Sequence, residues 1–315
     1  MTTRHRQPTH PSGEQIQIAH GDQHAWVVEV GGSLRTYQVC EHDVLDGYSA
    51  HDRCTGARGQ SLIPWPNRLG DGRYRFADDD HQLPLTEPDK HNAIHGLTRW
   101  ANWTPHDRAA DRVAMRHRLH PQPGYPFALD LEITYSLATD GLSVRTTTAN
   151  IGTTPAPYGT GAHPYLTVGT PTIDSVVLRA PGRVWLPADD RGIPTGAEPV
   201  TNTGYDFQAP RLIGAAKLDT AYTDLARDGD GLARVELLAP DTRTTTLWLD
   251  QNYRYVMLFT GDSLTNPKRR RRGLGVEPMT CAPNAFQTGH GLHTLQPGES
   301  HTTSWGITAS IPAGG

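Results

Sequence analysis

The feature that most constrains this chain is a hydrophobic period of two. Leu131, Ile133, Tyr135 and Leu137 alternate with Glu132, Thr134 and Ser136. That is the pattern of a strand with one buried face and one wet face. Asp140-Gly141, a common hairpin turn pair, follows, and Leu142-Ser143-Val144-Arg145 starts a return strand. Val113, Met115, His117 and Leu119 alternate with Arg112, Ala114, Arg116 and Arg118 in the same way. Val235 and Leu237 alternate with Arg234 and Glu236, and Leu247-Trp248-Leu249 resumes after a break at Pro240-Asp241. Residues 26–30, Gly31-Gly32 and residues 34–39 read as another hairpin, and residues 253–259 as an apolar, β-rich run ended by Gly261-Asp262. No helical stripe extends beyond two turns.

Turn residues support the same reading. The 315 residues include 32 glycines and 25 prolines, roughly 18% of the chain against a usual ~12%. Such punctuation cuts a chain into short elements, and tight turns join antiparallel strands only. The expected fold is therefore all-β, a large and mostly antiparallel β-sandwich. No low-complexity linker and no internal repeat divides the chain. We expect a mobile N-terminal tail over residues 1–15 and a single domain over residues 16–315.

Several function classes are disfavoured at this stage. The formal net charge of −4 argues against a general nucleic-acid binder. No apolar stretch reaches the length of a membrane-spanning helix, and MTTRHRQPTHPSGEQ lacks the apolar centre of a secretory signal. Cys40, Cys54 and Cys281 form no CxxC pair, so no disulfide framework is expected and a cytoplasmic setting is.

Five segments carry residues suited to chemistry. In Ile63-Pro64-Trp65-Pro66-Asn67-Arg68-Leu69 two prolines stiffen the backbone before Arg68, whose fork of donors suits hydroxyl or carboxylate oxygens; taken alone it reads as a surface arginine. In His91-Asn92-Ala93-Ile94-His95-Gly96-Leu97 the glycine permits a tight turn or close approach beside His95. The His91/His95 spacing lacks the glutamate of a zincin motif, so no metal is expected. In Tyr158-Gly159-Thr160-Gly161-Ala162-His163-Pro164-Tyr165 the proline holds His163 out of helical geometry, and an imidazole titrates near neutrality. In Leu218-Asp219-Thr220 the aspartate is either a turn residue or a binder of a diol. In Val276-Glu277-Pro278-Met279-Thr280-Cys281 the carboxylate of Glu277 has few local polar partners, the setting of a tuned base. Cys281 as a nucleophile is the weaker option there.

The order and wording of these motifs resemble the aldose 1-epimerase (mutarotase) family, over roughly residues 20–310. Asp71-Gly72-Arg73-Tyr74-Arg75-Phe76 and Leu295-Gln296-Pro297-Gly298-Glu299-Ser300 add to the likeness. The resemblance implies the galactose-mutarotase-like sandwich and interconversion of the α and β anomers of a free aldose. It implies Glu277 as general base and His163 as general acid, with Asn67, Arg68, His95 and Asp219 binding a small monosaccharide. No cofactor is expected. A glutamate of ordinary acidity is ionised at neutral pH, so Glu277 is expected to carry a charge that raises His163 toward the protonated form.

Alternatives remain at this point. One is a non-catalytic carbohydrate-binding module on the same fold; another is a hydrolase or lyase using Glu277 and Asp219. The run Lys268-Arg269-Arg270-Arg271-Arg272 reads as a solvated loop, or as a contact for an anionic (phosphorylated or sulfonated) sugar.

Overall fold

The computed structural model describes residues 9–312. The first eight residues of the expected tail lie outside them. Within residues 9–15, Ser12 is buried and its carbonyl accepts the Val30 N–H at 3.0 Å, residues 9–11 and Glu14 are exposed, and a strand begins at Gln15.

The fold is nearly all β, as the alternation requires. A nine-stranded antiparallel sheet runs in the order Thr104–Arg108, Arg112–Leu119, Leu129–Ala138, Gly141–Asn150, Ser300–Ser310, Thr244–Leu249, Ala233–Leu238, Val177–Arg179 and Arg211–Leu212. A second sheet of eight strands has Asp219–Leu225, Tyr255–Phe259 and Leu274–Met279 side by side near its centre. Gln15–His20, Gln23–Val28, Ser33–Val39 and His42–Asp43 form a separate four-stranded sheet. Among the described residues the α-helical content is Ala285–Thr288, and no helix is long and apolar enough to cross a membrane.

One apolar cluster is shared by the two large sheets. Leu131, Ile133, Tyr135 and Leu137 enter it from the first sheet, and Val256, Leu258, Leu274 and Val276 from the second. Each buried aliphatic side chain contributes about 1.5–3 kcal/mol by leaving water. The hairpin after residue 138 turns on Thr139-Asp140, because Ala138 pairs with Gly141. That is one position earlier than the Asp140-Gly141 turn expected. In the hairpin of Gln23–Val28 with Ser33–Val39, Val28 pairs with Ser33, so Val30 lies in the loop, where it bridges to Asn102.

The apolar run near residue 256 has no polar face for a structural reason. Val256 and Leu258 point into the main cluster, whereas Tyr255 and Met257 join a smaller one with Leu186, Ala221 and Met279. The second sheet is thus covered on both sides. The candidate site forms on its outer side.

Candidate active site

Strand periodicity sets the site. On Leu274–Met279, Leu274 and Val276 face the main core, so Gly275, Glu277 and Met279 face the outer side. Met257 pairs with both Glu277 and Ala221, and Asp219 pairs with Phe259. Asp219 therefore shares the outer face with Glu277, two strands away and one row along. Across the ladder from Glu277, Gly161 pairs with Met279 and Tyr165 pairs with Gly275. These two pairs hold one register, which puts His163 opposite Glu277. Pro164 interrupts the ladder there but still offers its carbonyl to Val276 N–H at 3.0 Å.

Cross-strand neighbours on one face touch. His163 Nε2 lies 3.1 Å from Glu277 Oε1, and both side chains are buried. The imidazole stacks on Tyr165, with ring centroids 5.0 Å apart, and meets His95 edge-on at 5.3 Å. The guanidinium of Arg58 lies over the other part of this stack, 4.4 Å from the Tyr165 ring centroid, and is held by buried Asp46 at 3.3 Å. Glu277 Oε2 and His163 Nδ1 are buried without a hydrogen-bond partner, a shortfall that native proteins reserve for special sites.

Arg68 and His95 come from a second small ladder. Arg68–Gly70 pairs with Asn92–Ile94, and Asn67 and His95 flank it with left-handed backbones, φ 58° and 63°. The His95 N–H donates to the Asn67 carbonyl, and the Asn67 N–H donates to His95 Nδ1 at 3.2 Å. An N–H donor at Nδ1 leaves the proton of neutral His95 on Nε2. Burial, with Arg99, His163 and Arg68 nearby, holds His95 well below its usual pKa. Gly96 next to it has φ +69°, and a Cβ there would lie 2.0 Å from the Ile63 carbonyl oxygen. The tight approach expected of this glycine is present.

Arg68 is not a surface arginine. Its Nε and Nη2 donate to the two oxygens of Glu87 at 2.9 and 3.1 Å, and Nη1 lies 3.7 Å from Asp219. Asn92 also donates to Glu87, at 2.9 Å. Burial pushes the Glu87 carboxyl up, but the hydrogen bonds from Arg68 and Asn92 outweigh it and leave it below the usual range. Gly192 closes over this pair, where a Cβ would meet Arg68 Nη1 at 2.5 Å.

A cavity of about 590 Å³ gathers these groups. All six residues singled out from the sequence line it: Asn67, Arg68, His95, His163, Asp219 and Glu277. Sequence reasoning missed Glu87, Arg99 and Tyr165 in its walls and Arg58 behind them. Glu87 and Arg58 carry no local signal, since their partners are distant in sequence. Arg99 lies four residues beyond His95 and was within reach of the same motif.

Two expectations about charge are overturned. Burial lowers His163 to about 3, with the cations Arg58, Arg99 and Arg68 adding to the effect. Burial raises Glu277 well above the usual carboxylate range, aided by the charge of Asp219 and opposed by Arg68. Burial therefore opposes both charges, against the raised imidazole expected beside an ionised Glu277. Cys281 is fully buried, does not line the cavity, and its thiol is pushed up to about 12. It is no nucleophile for this site.

The basic run lies elsewhere. None of residues 268–272 lines the cavity. Arg269 and Arg272 approach Asp46 at 3.1 and 3.8 Å, and Arg271 pairs with Asp174 and with Asp262. Arg269 and Arg272 border a different cavity of about 610 Å³. Three of its five cations are thus tied to carboxylates, with Asp46 shared between Arg269, Arg272 and Arg58, and the run is not a wall of the site.

The donor atoms of His95, His163 and Glu277 lie within 4.8 Å of one another. Metal-bound histidines usually donate their second ring nitrogen to an acceptor. His95 Nδ1 instead receives an N–H, so ligation through Nε2 would cost that bond or a second proton. The donor set fits a metal poorly.

The chain is 35% identical over 301 residues to the uncharacterized protein YihR of Escherichia coli (strain K12), covering 95% of this chain and 94% of that one. In fold it resembles the GalM/aldose epimerase homologue of C. elegans, with TM-score 0.85 and 17% identity over 94% of this chain and 98% of that one. It also resembles a galactose mutarotase-like protein of Clostridium acetobutylicum, with TM-score 0.84 and 16% identity over 95% of each chain. For galactose 1-epimerase of Lactobacillus acidophilus the TM-score is 0.76 at 18% identity, over 94% of each chain. The aldose 1-epimerase family profile matches residues 14–308, nearly the whole length, and the chain belongs to that family.

Proposed function

We propose that this protein is a mutarotase that interconverts the α and β anomers of a free aldose. The observation that carries the reading is the buried 3.1 Å contact between His163 and Glu277 at the cavity floor. Ring opening needs one proton taken from the C1 hydroxyl and one delivered to the ring oxygen, as the C1–O5 bond breaks and the carbonyl forms. A pair sharing one proton supplies both functions. Moving that proton across the contact turns the neutral pair into Glu277 carboxylate and His163 imidazolium. Glu277 then takes the C1 proton and His163 protonates the ring oxygen. Rotation about C1–C2 and closure on the other carbonyl face return both protons.

The surrounding residues suit a sugar. His95 offers an Nε2 donor, Arg68 a fork pre-set by Glu87, and Asp219 a carboxylate that is part exposed. Asp219 is engaged by Arg68, which disfavours its use as a second acting carboxylate in a hydrolase. The test is polarimetry on freshly dissolved aldoses in the presence of a chelator. Acceleration of mutarotation supports the reading. Unchanged rates across neutral and anionic aldoses refute it and leave a binding module.

A further inference from the structure

The loop that closes on Arg68 is fastened by Arg191, a residue outside the cavity. Gly182–Leu186 leaves the second sheet, and beyond it Ala188 bridges to Pro194. Between them Asp189 shapes a tight turn. Its side chain accepts the Arg191 and Ile193 N–H groups, each at 2.9 Å, and its carbonyl accepts the Gly192 N–H at 2.8 Å. Gly192, at φ +77°, lies against the Arg68 side chain, where a Cβ would come within 3.0 Å of three of its atoms.

The turn's own hydrogen bonds fix its shape but not where it rests. Arg191 sets its place. Nε donates to the Lys90 carbonyl at 2.9 Å, and Nη2 donates to the His91 carbonyl at 2.8 Å and to Asp71 at 2.9 Å. In return the buried Asn92 side chain donates to the Arg191 carbonyl at 2.9 Å and to Glu87 at 2.9 Å. Glu87 is the carboxylate that holds the Arg68 fork. Contacts therefore run from Arg191 to Arg68 by two routes, one through Asn92 and Glu87 and one through Gly192.

Arg191 does not line the cavity. Its side chain is 37% exposed and that of Asp71 57%, and an ion pair so exposed is worth little by itself. What Arg191 supplies is geometry: one planar fork satisfies acceptors on three residues at once. We propose that Arg191 is a positioning residue for the sugar site, pinning the Asp189–Ile193 turn onto residues 87–92 so that Arg68 is held between Glu87 and Gly192 with Nη1 beside Asp219. The proposal rests on reading the cavity as a sugar site. A fork fixed before binding has little freedom left to lose when hydroxyls arrive. Releasing the turn lets the fork swing. The cost falls on binding and not on proton transfer, because Glu277 and His163 are held by a different ladder.

The experiment uses Arg191→Met, which keeps the stem and removes the donors. Binding of glucose, galactose, glucose 6-phosphate and glucuronate is measured by calorimetry, and kcat and KM by anomer exchange in NMR. For the best-bound sugar Kd and KM are expected to rise about three- to tenfold, the ordering cost of one long side chain, with kcat within about twofold of wild type. Arg191→Lys should fall between the two proteins, and it carries the same test should Arg191→Met fail to fold. Asp71→Asn should stay within about twofold of wild type. Gly192→Ala keeps every Arg191 contact but pushes a Cβ into the fork, so it should weaken binding as Arg191→Met does. The decisive arm is Arg68→Gln. If Arg191 acts through the Arg68 fork, Arg191→Met adds less than about twofold in that background. A loss of the same size there overturns the proposal, as does an unchanged Kd in Arg191→Met itself. Exchange by the wild type with Kd unchanged in the variants refutes the positioning role and keeps the mutarotase. Binding that weakens only when Arg68 is present, with no exchange by any of the proteins, keeps the positioning role and refutes the mutarotase. A wild type that binds none of the four sugars overturns both.

Discussion

Glu277→Gln is expected to change how stability responds to pH, and the size of the change follows from the buried pair. In the unfolded chain the glutamate titrates near ~4.3 and the histidine near ~6.5. Folding spreads these apart, with His163 lowered to about 3 and Glu277 raised well above its usual range. Between about pH 4.3 and 6.5 the unfolded and folded pairs each hold one proton, so the pair makes stability flat there. Above about 6.5 the unfolded pair gives up its last proton and the folded pair keeps it. Stability then falls by about 1.4 kcal/mol per pH unit until Glu277 itself ionises. Below about 4.3 the unfolded pair gains a second proton that folded His163 refuses until about pH 3, and stability falls again.

In Glu277→Gln only His163 titrates. Its contribution is fully present above about 6.5 and is lost as pH falls. The variant should therefore gain on the wild type by about 1.4 kcal/mol for each pH unit that Glu277 stays protonated. The assay is urea unfolding of both proteins from roughly pH 5.5 to 8.5, with a common slope on denaturant as the two-state control. A stability gap that stays constant above about pH 6.5 would show Glu277 already ionised in the folded protein. The shared-proton description of the pair would then be wrong.

Three further outcomes follow from named contacts. Glu87→Gln removes the charge that holds the Arg68 fork and should raise KM about tenfold while changing kcat less, measured by saturation kinetics of anomer exchange. Gly96→Ala forces a Cβ to within 2.0 Å of the Ile63 carbonyl oxygen at φ +69°; it should cost about 1–3 kcal/mol or more, read as a lowered Tm. Cys40 is exposed whereas Cys54 and Cys281 are buried, with thiols pushed up to about 11 and about 12. A thiol reagent at neutral pH should therefore label Cys40 alone, checked by peptide mass.

The sequence made the frame of this protein legible because burial obeys strand periodicity. Leu131 to Leu137 alternate into the core as read, and residues 255–259 show the limit of that method. With both faces of their sheet covered, Tyr255 and Met257 are as buried as their neighbours. Glu277 and His163 could each be picked out beside a proline, yet their contact depends on a register shared by two very short strands. Nothing local records that register. Glu87 and Arg58 were invisible for the same reason. Arg68 meets Glu87 across a small ladder, and Arg58 meets Asp46 and Tyr165 across loops. Sequence shows a neighbouring charge and hides desolvation, which is the leading cause of the pKa shifts of both His163 and Glu277.

The central claim is that Glu277 and His163 together move the two protons of ring opening. Exchange between the α and β anomers at equilibrium, followed by NMR magnetisation transfer on the anomeric carbon, measures that step without a coupling enzyme. The sugar is the best substrate from the neutral and anionic panel, and the proteins are wild type, Glu277→Gln and His163→Asn. The expected result is faster exchange with the wild type and at least about a hundredfold loss of kcat in each variant, with sugar binding retained. Exchange at the wild-type rate by either folded variant would contradict the claim.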